Sequence, residues 1–369
     1  MKFSVAKEKL YPFLQHSGNF TTNKNLSTIL QNILIEAEGT HVTIKATNFQ
    51  TGFTASIEAQ VVTPGVTTVS AKKLSDIVRE LPDGKEIDFV FDGSRLHVKS
   101  GKSSFQLSTM DAELFPKQPT ITPEYSLTID GAMLMDLFKR IAFCISTDTS
   151  KVEYNGAHMN IFGDRIEISA ADYQRIASSS EKLAEPFTDE FIINIPKKTV
   201  LEVVKILDGA KNIHLETDKK QVAFKTDSIS ITSKLIEKYI KSLTRLFNEE
   251  YRNTALIDKG NLFEVVKRIS VITSDVTHGV YLSFAGSQLT ITSMETEYGK
   301  GQEVIDDVEY SGEPMDIIFN AKHLMEILSN ITSERVKFAM NSKLQPALIL
   351  PDNQASKYLL VPIAMEKIS

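Results

Sequence analysis

The sequence predicts an α+β protein built from three copies of one unit, each with two helices packed on antiparallel strands. Three observations carry this. A segment recurs at 125-residue spacing, helical periodicity follows it in every copy, and period-two strands flank the helices. With 369 residues the chain is long enough for two or three domains, each with its own core.

The recurring segment reads Ala71-Lys72-Lys73-Leu74, Pro196-Lys197-Lys198-Thr199 and Ala321-Lys322-His323-Leu324. A repeat this long lies beyond solenoid periods and points to whole domains. Apolar residues follow at helical intervals: Leu74, Val78 and Leu81; Val203 and Ile206; Leu324, Leu328 and Ile331. Each set predicts a helix with one buried stripe and a basic start. An earlier marker also recurs: Val5, Leu10 and Leu14; Ile129, Leu134 and Phe138; Ile257, Leu262 and Val266. Each reads as a strand running into a helix, with Asp130 and Asp258 placed to cap. Pro12 should shorten or kink the first of these helices.

Alternating strands are expected at 41–46, 165–170 and 288–293. Hairpins are expected over 87–98, where Asp92-Gly93 supplies the turn, over 213–224 and over 336–349. A proline-rich stretch at 115–123 and a polar one at 247–253 are the candidate linkers, which gives domains of 1–123, 124–249 and 250–369.

A net charge of −6 speaks against nucleic acid until its distribution is considered. The six helical windows hold fourteen basic and seven acidic residues, so the rest of the chain is strongly acidic. Any one lysine is best read as a solvated helix face. Lysine at one place in three copies, as Lys72, Lys197 and Lys322, fits a surface that meets phosphate without reading bases.

Catalytic and metal-binding patterns are lacking. The histidines His16, His41, His97, His158, His214, His278 and His323 are scattered, and no zinc, nucleotide or nucleophile-elbow motif occurs. Cys144 is the single cysteine and reads as core. Asp172 and Arg175 read as a surface ion pair, and Tyr298-Gly299-Lys300-Gly301 as a turn. No enzyme, cofactor or metal is expected. Charges at Lys7, Glu8 and Lys9 interrupt any signal-peptide core, no apolar run is long enough for a membrane span, and a cytoplasmic protein is expected.

In order along the chain, Met1-Lys2-Phe3-Ser4-Val5, Thr67-Thr68-Val69-Ser70-Ala71-Lys72-Lys73, Phe105-Gln106-Leu107-Ser108-Thr109, Tyr310-Ser311-Gly312, Phe319-Asn320 and Tyr358-Leu359-Leu360-Val361-Pro362-Ile363 resemble the bacterial DNA sliding clamp, the beta subunit of DNA polymerase III. The resemblance covers essentially the whole chain. It implies a head-to-tail homodimer, a six-domain ring of the DNA-clamp fold whose helices surround duplex DNA without sequence specificity. A clamp loader, the DNA polymerase III catalytic subunit and repair polymerases would bind through short peptides carrying a glutamine and two apolar anchors. Lys24, Lys72, Lys73, Lys139, Arg140, Lys197, Lys198, Lys267, Arg268 and Lys322 are the candidate DNA-facing residues. Phe105 and Leu107 would meet Val271 and Ile272 of a second copy, the alternative being that all four are intradomain core.

The resemblance further implies one peptide pocket per chain. Its candidate residues are Tyr154, Ala171, Tyr173, Gln174, Arg175 and Ile176, with Arg245 and Leu246, Asn320 and His323, Leu344 and Pro346, and Leu359, Val361, Pro362 and Ile363. The departures from the family pattern gather here. Tyr173 replaces a glycine and adds bulk at the groove wall, Thr277 stands where the family has phenylalanine, and 365–369 extend the usual end. These changes motivate an alternative reading, a clamp-like scaffold that only binds proteins.

Overall fold

The computed structural model describes residues 1–22, 28–117, 121–240, 243–247, 250–352 and 355–364, apart from the side chains of Thr244 and Arg245. Six α-helices lie among them: α1 (Lys7–Ser17), α2 (Ala71–Glu80), α3 (Gly131–Ile141), α4 (Lys197–Ile206), α5 (Lys259–Ser270) and α6 (Ala321–Ser329). They stand at the six places that the repeat predicts. The predicted stripes are inside: Leu10, Leu14, Leu74, Val78, Leu134, Phe138, Val203, Leu262, Val266, Leu324 and Leu328 are all buried. Each such side chain contributes about 2 kcal/mol through apolar area removed from water.

Caps follow local chemistry. Ser70, Asp258 and Asn320 each accept the backbone N–H three residues on, at 3.4, 2.6 and 3.1 Å. Pro12 does not shorten α1, which runs eleven residues with the proline inside it. Pro12 and Glu8 both lie on the exposed face, so the carbonyl that loses its helical partner faces water.

The structure adds a device common to the three helix pairs. The first residue of the leading helix donates its backbone N–H beyond the end of the second helix: Lys7 to Lys85 O (3.4 Å), Gly131 to Lys211 O (2.9 Å) and Lys259 to Glu334 O (2.9 Å). The Lys7 ammonium also caps the end of α2, donating to Leu81 O at 2.5 Å, and the Lys259 ammonium donates to Ile331 O at 3.1 Å beyond α6. The middle copy has glycine there because the chain comes too close. A Cβ on Gly131 would sit 1.9 Å from Ala210 O.

The contacts divide the chain into two compact units. One comprises Met1–Ala132 with Leu201–Leu235, the other Met133–Val200 with Ile236–Ser369. The first holds a thirteen-stranded antiparallel sheet in which Ile229–Lys234 pairs with Thr51–Glu58. The second holds a seven-stranded sheet, in which Arg175–Pro196 pairs with Ser356–Leu360, and a four-stranded sheet. Strands of successive repeats thus share a ladder, and backbone pairing divides the middle repeat between the units.

The proposed linkers carry core anchors. Phe115 packs with Ile29 and Leu30, and Phe247 packs with Ala339, Leu348 and Leu359. The predicted hairpins form, with Asp92 accepting the Ser94 and Arg95 N–H groups at its turn. Among the described residues no helix is long and apolar enough to cross a membrane.

Candidate functional site

In the second unit the long strand Gly156–Ala171 turns through 172–174 into Arg175–Pro196. Asp172 makes that turn rigid, because its Oδ1 accepts the N–H groups of Gln174 (2.8 Å) and Arg175 (2.7 Å). The chain end lies alongside: Leu359 pairs with Ile176, and the Val361 N–H donates to Gln174 O at 2.9 Å. Ile363 N–H then reaches Ile318 O at 2.8 Å. Below, Phe247, Leu348 and Leu359 form an apolar floor against which Ile176 packs.

Four large apolar side chains assigned to the pocket stay open. Tyr173 (47%), Leu246 (48%), Leu344 (64%) and Val361 (37%) are exposed, while Pro346 and Ile363 are half-buried and Ala171 and Pro362 are buried. Of the residues that the sequence assigned to this pocket, only the Arg245 side chain falls outside the described atoms. Tyr154 and Tyr173 stack with centroids 5.6 Å apart. Tyr154 also lines a cleft of about 480 Å³ with Glu153, Glu237, Lys238, Tyr239 and Ile240. An apolar floor with exposed anchors and a few fixed polar groups suits an extended peptide.

The Asp172–Arg175 pair is not the surface pair expected from its spacing. Arg175 is 8% exposed, holds Asp172 at 2.8 Å, and also pairs with Glu326 of α6. Its guanidinium carbon stands 5.5 Å from the Phe143 ring centroid. Burial opposes the charge on Arg175, but Asp172 and the hydrogen-bonded carboxylates outweigh it and raise the pKa. Burial, reinforced by Arg175, lowers the pKa of His323. Burial drives the Cys144 thiol well above its ordinary range, as befits a core residue. Asn320 caps α6 and donates to Thr277 O at 3.1 Å, so Thr277 is tied to the start of that helix.

The basic residues divide into two kinds. Lys72, Lys73, Lys198 and Lys322 are exposed and form no ion pair among the described residues; Lys139 is exposed too. Lys267 is exposed beside the Phe263 ring. By contrast, Arg140 is 13% exposed and pairs with Asp136 and Glu181. Lys197 donates to Ile145 O at 2.6 Å, and Arg268 grips Glu303 with two bonds. Lys24 lies outside the described residues.

Phe105 and Leu107 sit on the strand Ser103–Met110, which pairs along one edge with Arg95–Ser100. On its other edge only Thr109 and Met110 are paired, so 103–108 offers open backbone among the described residues. Phe105 is 38% and Val271 86% exposed, while Leu107 and Ile272 are half-buried. None of the four is core.

The comparisons bear on the whole of this arrangement. The families described as the N-terminal, central and C-terminal domains of the DNA polymerase III beta subunit match residues 1–119, 128–239 and 244–364. The chain belongs to the DNA polymerase III beta-subunit family. Among its relatives, the beta sliding clamp of Caulobacter vibrioides is 26% identical over 371 residues, covering 98% of this chain and all of that protein. The beta sliding clamp of Escherichia coli K12 is 26% identical, covering 99% of this chain and all of that one. The crystal structure of the Pseudomonas aeruginosa sliding clamp bound to griselimycin superposes with a TM-score of 0.94 at 26% identity, covering 99% of this chain and 100% of that one. A clamp from Bartonella birtlesii, also bound to griselimycin, gives 0.94 at 27% over the same shares. The beta-subunit family is non-enzymatic.

Local sequence pattern did not point to Glu326, Phe143 or Phe247. Each acts through a neighbour far away in the chain.

Proposed function

We infer that this chain is a sliding clamp: two copies close head to tail around duplex DNA and tether the replicative polymerase, so that topology replaces tight binding. The observation that carries this is the match of all three beta-subunit domains, in order, along nearly the whole chain. Contact with DNA is through phosphate alone, by the exposed lysines Lys72, Lys73, Lys198 and Lys322 above all, with Lys139 and Lys267 beside them. Domains of 1–123, 124–249 and 250–369 supply two helices each. The open strand edge at 103–108, with Phe105 and Leu107, meets Val271 and Ile272 of the second copy, an unpaired edge being a ready template for another chain. The groove between the 172–174 turn and 361–363 receives partner peptides with two apolar anchors, from polymerases and from the loader. The working compartment is the cytoplasm, at the nucleoid.

Retention on nicked circular DNA after loading tests the reading. A clamp stays on the circle and is lost when the circle is cut; equal loss from both forms refutes topological linkage. Gel filtration at micromolar concentration should give the dimer.

A further inference from the structure

Glu326 lies on α6, outside the groove itself, and yet it reaches the groove wall. Its carboxylate pairs with Arg175, although Lys322 stands one turn back on the same helix as an available partner. Arg175 holds Asp172 through Nε at 3.0 Å and a terminal nitrogen at 2.8 Å. Asp172 fixes the N–H groups of Gln174 and Arg175, and Gln174 O receives the Val361 N–H. One continuous chain of polar contacts therefore runs from α6 through the turn to the 361–363 segment.

Charge balance does not require Glu326. Asp172 alone neutralises the buried guanidinium, so removing Glu326 leaves no uncompensated buried charge. Glu326 is also 53% exposed, and such an ion pair contributes little to global stability. What it supplies is a second fixed point, which sets the direction of a planar, forked side chain already held at its other end. We propose that Glu326 is a positioning residue for the partner groove: through Arg175 it holds the 172–174 turn and the 361–363 segment in the arrangement that receives a peptide. This rests on the reading of the groove as the partner site.

The test measures, by fluorescence anisotropy, the binding of a synthetic uncharged peptide with one glutamine and two apolar anchors. The full-length dimer is used in wild-type, Glu326→Gln and Glu326→Asp forms, each with its melting temperature. Glu326→Gln should bind about three- to tenfold more weakly at an unchanged melting temperature, the loss of one charge-assisted bond. Glu326→Asp, which keeps the charge, should recover most of that loss. Wild-type affinity in Glu326→Gln overturns the proposal and leaves the groove reading intact. A fall in affinity and melting temperature together, with no recovery in Glu326→Asp, makes the residue merely structural and also overturns it. No binding by the wild type refutes the groove reading and the proposal with it.

Discussion

Tyr173 stacks on Tyr154 with the ring planes 28° apart, and the Lys151 ammonium lies 4.9 Å from the Tyr173 centroid. The Tyr173 hydroxyl is 3.4 Å from Ser150 Oγ. A half-exposed ring is thus held at its face and at its tip.

This arrangement predicts a change of anchor preference in Tyr173→Gly. Removing the ring opens the wall, so a peptide with a phenylalanine anchor should gain about tenfold over one with valine, the low end of what one methylene is worth in an apolar pocket. Loss of the ring pair and the added backbone freedom should lower stability by about 1–2 kcal/mol. Anisotropy titrations with the two peptides check this; an unaltered preference would show that the ring stands outside the groove.

The exposed lysines should behave as interchangeable phosphate contacts. Changing Lys72, Lys198 or Lys322 to glutamine should weaken DNA association alike on any sequence. Each change should flatten the dependence of log affinity on log salt by about one unit. Arg140→Gln should leave that slope alone, since its guanidinium is committed to Asp136 and Glu181. A salt titration of DNA association distinguishes the two kinds of residue.

A buried histidine gives an acid limit. His158 Nε2 accepts the Ile240 N–H at 3.0 Å, and burial lowers its pKa from 6.5 to about 4. Its folded value is depressed, so between pH 6.5 and 4 the unfolded chain takes up a proton that the fold refuses. The stability that neutral His158 supports is complete above 6.5 and declines as pH falls toward 4, by up to about 3 kcal/mol. Urea denaturation across this range should show the decline, and His158→Gln should flatten it by about one proton. An identical slope in the variant would place the titration elsewhere.

Gly131→Ala should destabilise more than an ordinary surface change. The added methyl meets the carbonyls of Ala210 and Lys211, and the Gly131 N–H bond to Lys211 O must give way to make room. Overpacking of this sort costs about 1–3 kcal/mol. Thermal unfolding should show a lower midpoint. Lys7→Ala, at the equivalent place in the first copy, should lower it instead by uncapping α2.

The amino-acid sequence by itself determined the threefold unit, because helix stripes and strand alternation are local periodicities that survive in every copy. Leu74, Val203 and Leu324 disclose their helices through spacing alone, and Asp258 discloses its cap through its place before a stripe. It also determined the lysine positions, since a recurring residue needs no neighbour to be seen. Only the tertiary structure decided which cations are available. Arg140 and Arg268 look like Lys72 in sequence, but carboxylates 41 and 35 residues away engage them. The same holds for Asp172 and Arg175, whose spacing suggests a surface pair and whose burial depends on Phe143 and α6. Phe115 and Phe247 begin stretches that read as linkers along the chain and become core through partners remote in sequence. Burial and pairing are set by where distant strands meet, and that register is fixed by three-dimensional packing rather than by any local pattern.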